Sequence, residues 1–184
     1  WSIASSEVYS PEAFAGIATT FGLQSEKVTP ATPWMLSAID RPGIVVLNEN
    51  GGLLKSYLLT YIDEDSVTLR IKDGEIDLDL DQFKDRWTGS FLYLWRPHKE
   101  FDLLMQGDTD KLAMSWLQEK LSMDDEGIEK VIAGGRYTEA VKDQVVGFQR
   151  RHGLKADGIV GRQTLMRLNE LFDDEIPRLT GSTH

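Results

Sequence analysis

The chain has 184 residues and a formal net charge of -10 at pH 7, so it can form one large domain or two small ones. This acidic balance disfavours general nucleic-acid binding, because phosphate recognition needs a basic surface. The chain contains no cysteine, which excludes thiol catalysis, disulfide bonds and thiolate metal sites. Its histidines, His98, His152 and His184, lack the spacing of metal ligands, and we expect neither a metal nor a cofactor.

The start of the chain predicts a fragment of a longer protein. Trp1 is not a natural start, no signal peptide opens the chain, and no apolar run reaches membrane-spanning length. The composition is otherwise that of an ordinary globular protein, with 41% hydrophobic and 27% charged residues. We therefore do not expect these residues themselves to span a membrane.

The first forty residues predict two helices. Ser10-Pro11 and Thr32-Pro33 each combine a capping hydroxyl with a proline in the first helical turn. The second helix carries Trp34 and Ile39 and ends before Pro42. The first helix ends at Gly22, and its expected buried stripe consists of Phe14, Ile17, Ala18 and Phe21.

From Gly43 the pattern changes to that of an antiparallel sheet. Two apolar runs, 43–47 and 53–62, flank an Asn50-Gly51-Gly52 turn, and 67–71 and 76–80 alternate around Asp73-Gly74. A short helical segment follows through Phe83 and Trp87, and the last strand is 91–95. Helices first and an antiparallel sheet after them predict an α+β domain. Asp77, Asp79 and Asp81 are interpreted as the wet face of a strand rather than as paired catalytic carboxylates.

The C-terminal half predicts helices that bury one stripe each. Val141, Val145 and Phe148 recur at helical spacing, with Thr138 as N-cap and Gly153 as a left-handed C-cap. Leu165, Leu168 and Phe172 form the stripe of the next helix. Between the helices, Asp157-Gly158 indicates a tight turn, and Gly161 stands where a side chain could obstruct close backbone approach.

The residue identities in this half resemble the small three-helix peptidoglycan-binding domain of many cell-wall hydrolases. The family pattern is present as Phe148-Gln149, Gly153-Leu154, Asp157 to Gly161, and Thr164-Leu165, preceded by Gly107-Asp108 and Trp116-Leu117-Gln118. The acidic segment 122–134 is longer than this family usually needs, and we expect it to be a surface excursion. The resemblance covers roughly residues 104 to 173.

This resemblance implies a binding site beside the glycine loop. If a helix begins near Gly161, its free amides and positive dipole end favour a carboxylate, such as that of a peptidoglycan stem peptide. The predicted peptidoglycan-binding residues are Arg136, Tyr137, Gln149, Asp157, Gly158, Val160, Gly161 and Arg162. A more ordinary interpretation also stands, in which Phe148, Leu154, Ile159, Val160 and Trp116 are core. Nearby basic residues either form a solvated face or attract carboxylates; they are Arg150, Arg151, Lys155, Arg162 and Arg167.

The first half resembles papain-like cysteine peptidases that process bacteriocin leaders. As in that family, a Phe precedes a Trp-x-Gly, here Phe83 before Trp87-Thr88-Gly89. The nucleophilic Cys is missing, Lys55-Ser56-Tyr57 stands where the His should be, and the Asp position falls near Arg70. Because the chemistry needs a nucleophile, a base and an orienting group, we expect no catalytic residues here. A substitute triad of Ser56, His98 and Asp73 lacks the required nucleophile turn.

We therefore predict an inactive peptidase-like domain over 1–102, a peptidoglycan-binding domain over 103–176 and a tail over 177–184. This order resembles the periplasmic region of the A component of the type II (general) secretion pathway. The resemblance implies peptidoglycan, a secretion B component and, indirectly, the outer-membrane secretin as partners. It also implies a periplasmic location, tethered to the inner membrane by a missing N-terminal segment. The alternatives are a wall hydrolase or peptidase targeted by its second domain, and an adaptor with a vestigial wall-binding loop.

Overall fold

A computed structural model describes residues 10–49, 51–98, 101, 103–125, 135–171 and 177–180. The chain divides into two compact units. The first unit contains residues 1–96 together with 177–184, and the second contains residues 97–176. Within the described residues no helix is both long enough and apolar enough to cross a membrane.

The first unit is an α+β unit built on a six-stranded antiparallel sheet, which confirms the predicted fold class. The strand order is β1-β6-β2-β3-β4-β5. Its elements in chain order are α1 (Pro11–Thr20), β1 (Gln24–Val28), α2 (Pro33–Ile39), β2 (Gly43–Glu49), β3 (Leu53–Ile62), β4 (Ser66–Ile71), β5 (Gly74–Asp79), α3 (Leu80–Arg86) and β6 (Trp87–Trp95).

The predicted caps of the first two helices are confirmed. The Ser10 hydroxyl accepts from Ala13 N at 3.0 Å, and the Thr32 hydroxyl accepts from Met35 N at 3.3 Å. The expectation that Phe21 is buried is wrong, because α1 ends at Thr20 and leaves Phe21 59% exposed. Strand β1 was not predicted. It has no apolar alternation, and its pairing with β6 decides its conformation.

The centre of the sheet depends on a close approach of two backbones at Gly43. A Cβ added there would lie 2.5 Å from the Leu92 carbonyl oxygen and 2.6 Å from the Phe91 ring. Strand β2 pairs with both β3 and β6, so the approach lies in the middle of the sheet. Val45, Leu47 and Phe91 are fully buried around it. Only glycine fits at position 43 without moving a backbone.

Residues 177–180, expected to lie in a tail, are an integral part of the first unit. Leu179 is fully buried, and its carbonyl accepts from Ile62 N at the end of β3, at 3.2 Å. Asp40 Oδ1 accepts from Leu179 N at 2.9 Å and from both Thr180 N and Thr180 Oγ1 at 2.8 Å. Buried backbone groups need such partners. No sequence pattern indicates this contact, because Asp40 and Leu179 are 139 residues apart along the chain.

The described residues of the second unit form three helices, as predicted: α4 (Lys111–Asp124), α5 (Glu139–Arg151) and α6 (Arg162–Glu170). An antiparallel bridge joins Leu104 to Val160. Thr138 caps α5, and Gly153 has the left-handed conformation expected of a C-cap, with φ of 66°. The core consists of Ala113, Met114, Leu117, Leu121, Val141, Val145, Phe148, Leu165 and Leu168. Phe172 lies outside the described residues.

Candidate functional site

The loop between α5 and α6 is held in place by the side chain of Gln149. This side chain is 1% exposed. Its amide nitrogen donates to Ile159 O at 2.9 Å and lies 3.2 Å from both Asp157 Oδ1 and Thr164 Oγ1. Its amide oxygen accepts from Gly158 N at 2.8 Å. One neutral amide therefore supplies both the donor and the acceptor that fix this turn against α6.

Tyr137 supports the same loop from the other side. Its hydroxyl donates to Gly158 O at 2.8 Å, and the residue is only 1% exposed. Burial, with smaller contributions from Asp157 and Asp108, raises the pKa of Tyr137 well above its ordinary value, so the phenol stays protonated. Its backbone is paired with the 105–108 segment, through Tyr137 N to Asp108 O at 2.8 Å.

Asp157 and Gly158 form the turn itself. Asp157 Oδ1 accepts from Ile159 N at 3.0 Å, which is the self-stabilising turn contact that the sequence predicted. Burial alone would raise the pKa of the Asp157 carboxyl, but hydrogen bonds from Ile159 N and Gln149 outweigh it and lower the pKa. Gly158 has φ of 70°, and a Cβ there would collide with the side chain of Lys142.

Gly161 is the N-cap of α6, as predicted, but the close backbone approach expected at this glycine is not observed. Its φ is -90°, a conformation open to any residue, and an added Cβ would meet only Leu103 Cδ1 at 3.9 Å. Close approach therefore does not require glycine here. No side chain caps the first turn of α6.

The predicted binding residues separate into two groups by burial. Tyr137, Gln149 and Val160 are buried and act on the loop from inside the unit. Arg136 and Arg162 are exposed, and Gly161 and Asp157 are partly exposed. Among the predicted core residues, Phe148 and Val160 are fully buried, but Ile159 is 37% exposed, so its assignment to the core is wrong.

An exposed apolar strip, which the sequence reasoning missed, runs beside Gly161. It consists of Leu103, Met105 and Ile159, which are 46%, 39% and 37% exposed. In an antiparallel bridge successive side chains point to opposite faces, so Leu104 and Val160 face inward while their neighbours face outward. Residues 103–105 are all apolar, so the sequence carries no alternation that identifies the outer face, and only the pairing of Leu104 with Val160 does so.

The basic residues around the loop are mostly paired within the second unit. Arg151 contacts Asp124 at 2.6 Å, and Lys155 contacts Asp157 at 3.3 Å. Burial would raise the pKa of the Asp124 carboxyl, but Arg151 and His152 outweigh it and lower the pKa. Asp124 thus ends α4 with a buried carboxylate that pairs with the exposed Arg151 rather than belonging to a surface excursion, and residues 126–134 of that segment lie outside the described part.

In the first unit, the positions aligned with the peptidase residues carry ordinary strand side chains. Ser56 pairs with Val46 in the β2–β3 register, Lys55 is exposed, and Arg70 forms an ion pair with Glu75 at 2.7 Å. The described residues of this unit contain no histidine that could act as a base. Across the described residues of both units, no group of three histidine or carboxylate side chains could hold a metal ion.

Comparison with known proteins supports the resemblance seen in the second half. Residues 112–168 match the family described as "Putative peptidoglycan binding domain". The chain is 28% identical over 144 residues to "General secretion pathway protein A" of Aeromonas hydrophila, which covers 78% of this chain and 26% of that protein. It is 27% identical over 111 residues to "Putative general secretion pathway protein A" of Escherichia coli (strain K12), which covers 55% of this chain and 22% of that protein.

A solved structure has a similar fold. It is a periplasmic domain of the EpsAB fusion protein of the Vibrio vulnificus type II secretion system, with a TM-score of 0.55 and 21% identity. The match covers 85% of this chain and 68% of that one. The chain spans only about a quarter of the curated relatives, 26% and 22% of their lengths. By these comparisons the chain is similar to part of general secretion pathway protein A, and its second unit matches the peptidoglycan-binding family over residues 112–168.

Proposed function

We propose that this chain binds peptidoglycan without cleaving it, as the periplasmic part of a type II secretion assembly factor. The observation that carries the proposal is the family match over residues 112–168, which includes the loop that Gln149 and Tyr137 hold rigid. A loop fixed before the ligand arrives loses little conformational entropy on binding. The exposed Arg136 and Arg162 and the partly exposed Gly161 remain proposed contacts for the wall.

The first unit serves in this proposal as a non-catalytic interaction platform. It retains a well-packed sheet but offers no thiol nucleophile, and its described residues include no histidine base. Its proposed partner is the B component of the secretion pathway, through which the chain helps the outer-membrane secretin assemble across the wall. The names of the relatives support this assignment. Attachment to the inner membrane through a preceding segment is part of the same proposal.

Incubation of the purified chain with peptidoglycan sacculi tests the proposal. We expect the chain to sediment with the sacculi and to release no soluble muropeptides. Release of muropeptides would instead support a wall hydrolase. Failure to sediment, together with retained binding to a secretion partner, would support an adaptor with a vestigial loop.

A loop variant provides the matched control for this experiment. Gln149→Leu removes the buried amide that holds Gly158 and Ile159, so we expect it to lose sedimentation. Gln163→Leu changes an exposed glutamine in the first turn of α6 and should sediment like the parent chain. If both variants sediment equally well, the loop held by Gln149 does not contribute to wall binding.

A further inference from the structure

We propose that the apolar strip Leu103, Met105 and Ile159 is the surface of the second unit that contacts the peptide part of peptidoglycan. This inference rests on the proposed function and adds to it the contact residues and the portion of the wall that they recognise. None of the three residues was among those predicted from the sequence. All three are substantially exposed, whereas Leu104 and Val160 between them are 2% and 0% exposed.

The strip is a continuous surface rather than a set of scattered side chains. Two hydrogen bonds close the Leu104–Val160 bridge, Leu104 N to Val160 O at 3.1 Å and Val160 N to Leu104 O at 2.8 Å. In this register Met105 stands beside Ile159, and Leu103 stands beside Gly161. The 3.9 Å separation between Leu103 Cδ1 and a Cβ built on Gly161 agrees with that placement. Gly161 thus leaves the strip open where any other residue would add a side chain.

The backbone beneath the strip is held on both sides. Gln149 binds Ile159 O, Asp157 binds Ile159 N, and Asp108 Oδ2 accepts from Met105 N at 2.7 Å. Exposed apolar side chains on a fixed backbone form a surface that is ready for a ligand before it arrives.

The size of the strip favours a small ligand over a protein. A stable protein–protein interface uses roughly 20–30 residues on each side, whereas this strip has three. A short peptide presents a comparable number of side chains. Peptidoglycan stem peptides contain alanine, whose apolar methyl groups can pack against the three apolar side chains of the strip.

The chemistry of the strip favours the peptide over the glycan. Sugar rings pack their C–H faces on aromatic side chains, whereas Leu103, Met105 and Ile159 are not aromatic. Stem peptides also carry carboxylates. The exposed Arg162, directly after Gly161, brings a positive charge beside the strip and complements them.

The test compares strip variants with a matched control in sedimentation with sacculi. The strip variants are the double variant Leu103→Ser with Ile159→Ser, and the single variant Met105→Ser. The control is Met123→Ser, which changes a 53% exposed methionine in the last turn of α4, roughly 20 Å along the helix from its Asp110 cap. We expect about a tenfold loss of affinity for the double variant, a smaller loss for Met105→Ser and no change for the control. Thermal melting of each variant checks that the second unit remains folded.

Titration calorimetry with synthetic ligands identifies the recognised portion. The probes are a stem peptide containing alanine, the same peptide with glycine at those positions, and glycan chains freed of peptide. We expect the glycine peptide to bind about threefold more weakly for each methyl removed, and the glycan not to bind.

The outcomes distinguish this inference from the proposed function. If the parent chain does not sediment with sacculi, both fail. If it sediments and the folded strip variants sediment equally well, only the inference fails. Equal binding of alanine and glycine peptides, or binding of the bare glycan, would also overturn it. Loss of sedimentation by a strip variant that melts like the parent chain supports it.

Discussion

Each unit uses a buried polar side chain to hold a backbone segment in place. The two side chains differ greatly in how far along the chain the held segment lies. In the first unit, the Asp40 carboxylate holds the backbone of Leu179 and Thr180, which are 139 and 140 residues away. In the second, the Gln149 amide holds a loop only 8 to 10 residues away. Both side chains are buried acceptors of backbone N–H groups. The local contact leaves a readable sequence motif and the distant contact does not.

Gly43→Ala is the substitution expected to lower the stability of the first unit the most while leaving the second unit unchanged. The added Cβ would lie 2.5 Å from a backbone carbonyl oxygen in the middle of the sheet, and neither strand can move cheaply. We expect a loss of about 4 kcal/mol in the free energy of unfolding of this unit, measured by guanidinium titration. Gly16→Ala, within α1 and with no atom near the added Cβ, should instead stabilise the unit by about 0.5–1 kcal/mol. Similar midpoints for both variants would contradict the close-approach argument.

Asp40→Ala tests the long-range contact. It leaves Leu179 N, Thr180 N and the Thr180 hydroxyl without their acceptor, and it places alanine at a φ of 52°. We expect a loss of about 3 kcal/mol, with amide exchange of Leu179 and Thr180 accelerated first. Asp40→Asn keeps the oxygen acceptor and should lose much less. Unchanged exchange at residues 179 and 180 in Asp40→Ala would refute this role of Asp40.

Gln149→Leu tests the local contact. It removes the acceptor of Gly158 N and a donor to Ile159 O inside the second unit, and leaves the first unit unchanged. We expect a loss of about 2 kcal/mol, measured by chemical denaturation followed by the fluorescence of Trp116 in a variant whose other tryptophans are replaced. Gln163→Leu is the control. An effect of Gln149→Leu no larger than that of the control would contradict the role assigned to Gln149.

Alkaline pH sharpens the comparison, because each unit has a tyrosine that resists ionisation. Burial and the hydrogen bond to Glu49 raise the pKa of Tyr57 to about 12, and burial raises the pKa of Tyr137 well above its ordinary value. An unfolded tyrosine loses its proton near pH 10, so above that pH the folded state binds more protons. Stability is therefore complete below about pH 10 and falls as the pH rises toward the folded pKa.

Melting temperatures measured from about pH 8 to pH 11 check this expectation for each unit. Tyr57→Phe should flatten the alkaline decline of the first unit, and Tyr137→Phe that of the second. A decline that persists unchanged in both variants would show that other groups cause it.

The smallest expected effect is at Gly161. Because its φ is -90° and no side chain caps α6, Gly161→Ser supplies an N-cap hydroxyl without strain. We expect a gain of a few tenths of a kcal/mol in the second unit, read from its melting temperature. Gly158→Ser, at a φ of 70°, should instead destabilise the same loop. Destabilisation by Gly161→Ser would mean that the glycine is required there for its backbone conformation.

The sequence by itself determined the local features of this protein. Helix caps and tight turns use partners within a few residues, so their chemistry is visible in the sequence. They are the caps at Ser10, Thr32 and Thr138, the glycine turn of the β4–β5 hairpin and the Asp157-Gly158 turn. The α+β class and the three-helix second half followed from these elements and from the family motif.

Only the tertiary structure decided which side of each element faces outward. Ile159 is exposed because Val160, one residue later, pairs with Leu104 across the bridge. Gln149 and Tyr137, which were predicted to bind peptidoglycan, are buried because the loop folds over them and satisfies their polar atoms. Strand β1 and residues 177–180 likewise depend on partners far along the chain. The spacing of apolar residues is a local property of the sequence. Which face of a helix or strand becomes buried depends on the segment that packs against it, and the spacing does not identify that segment.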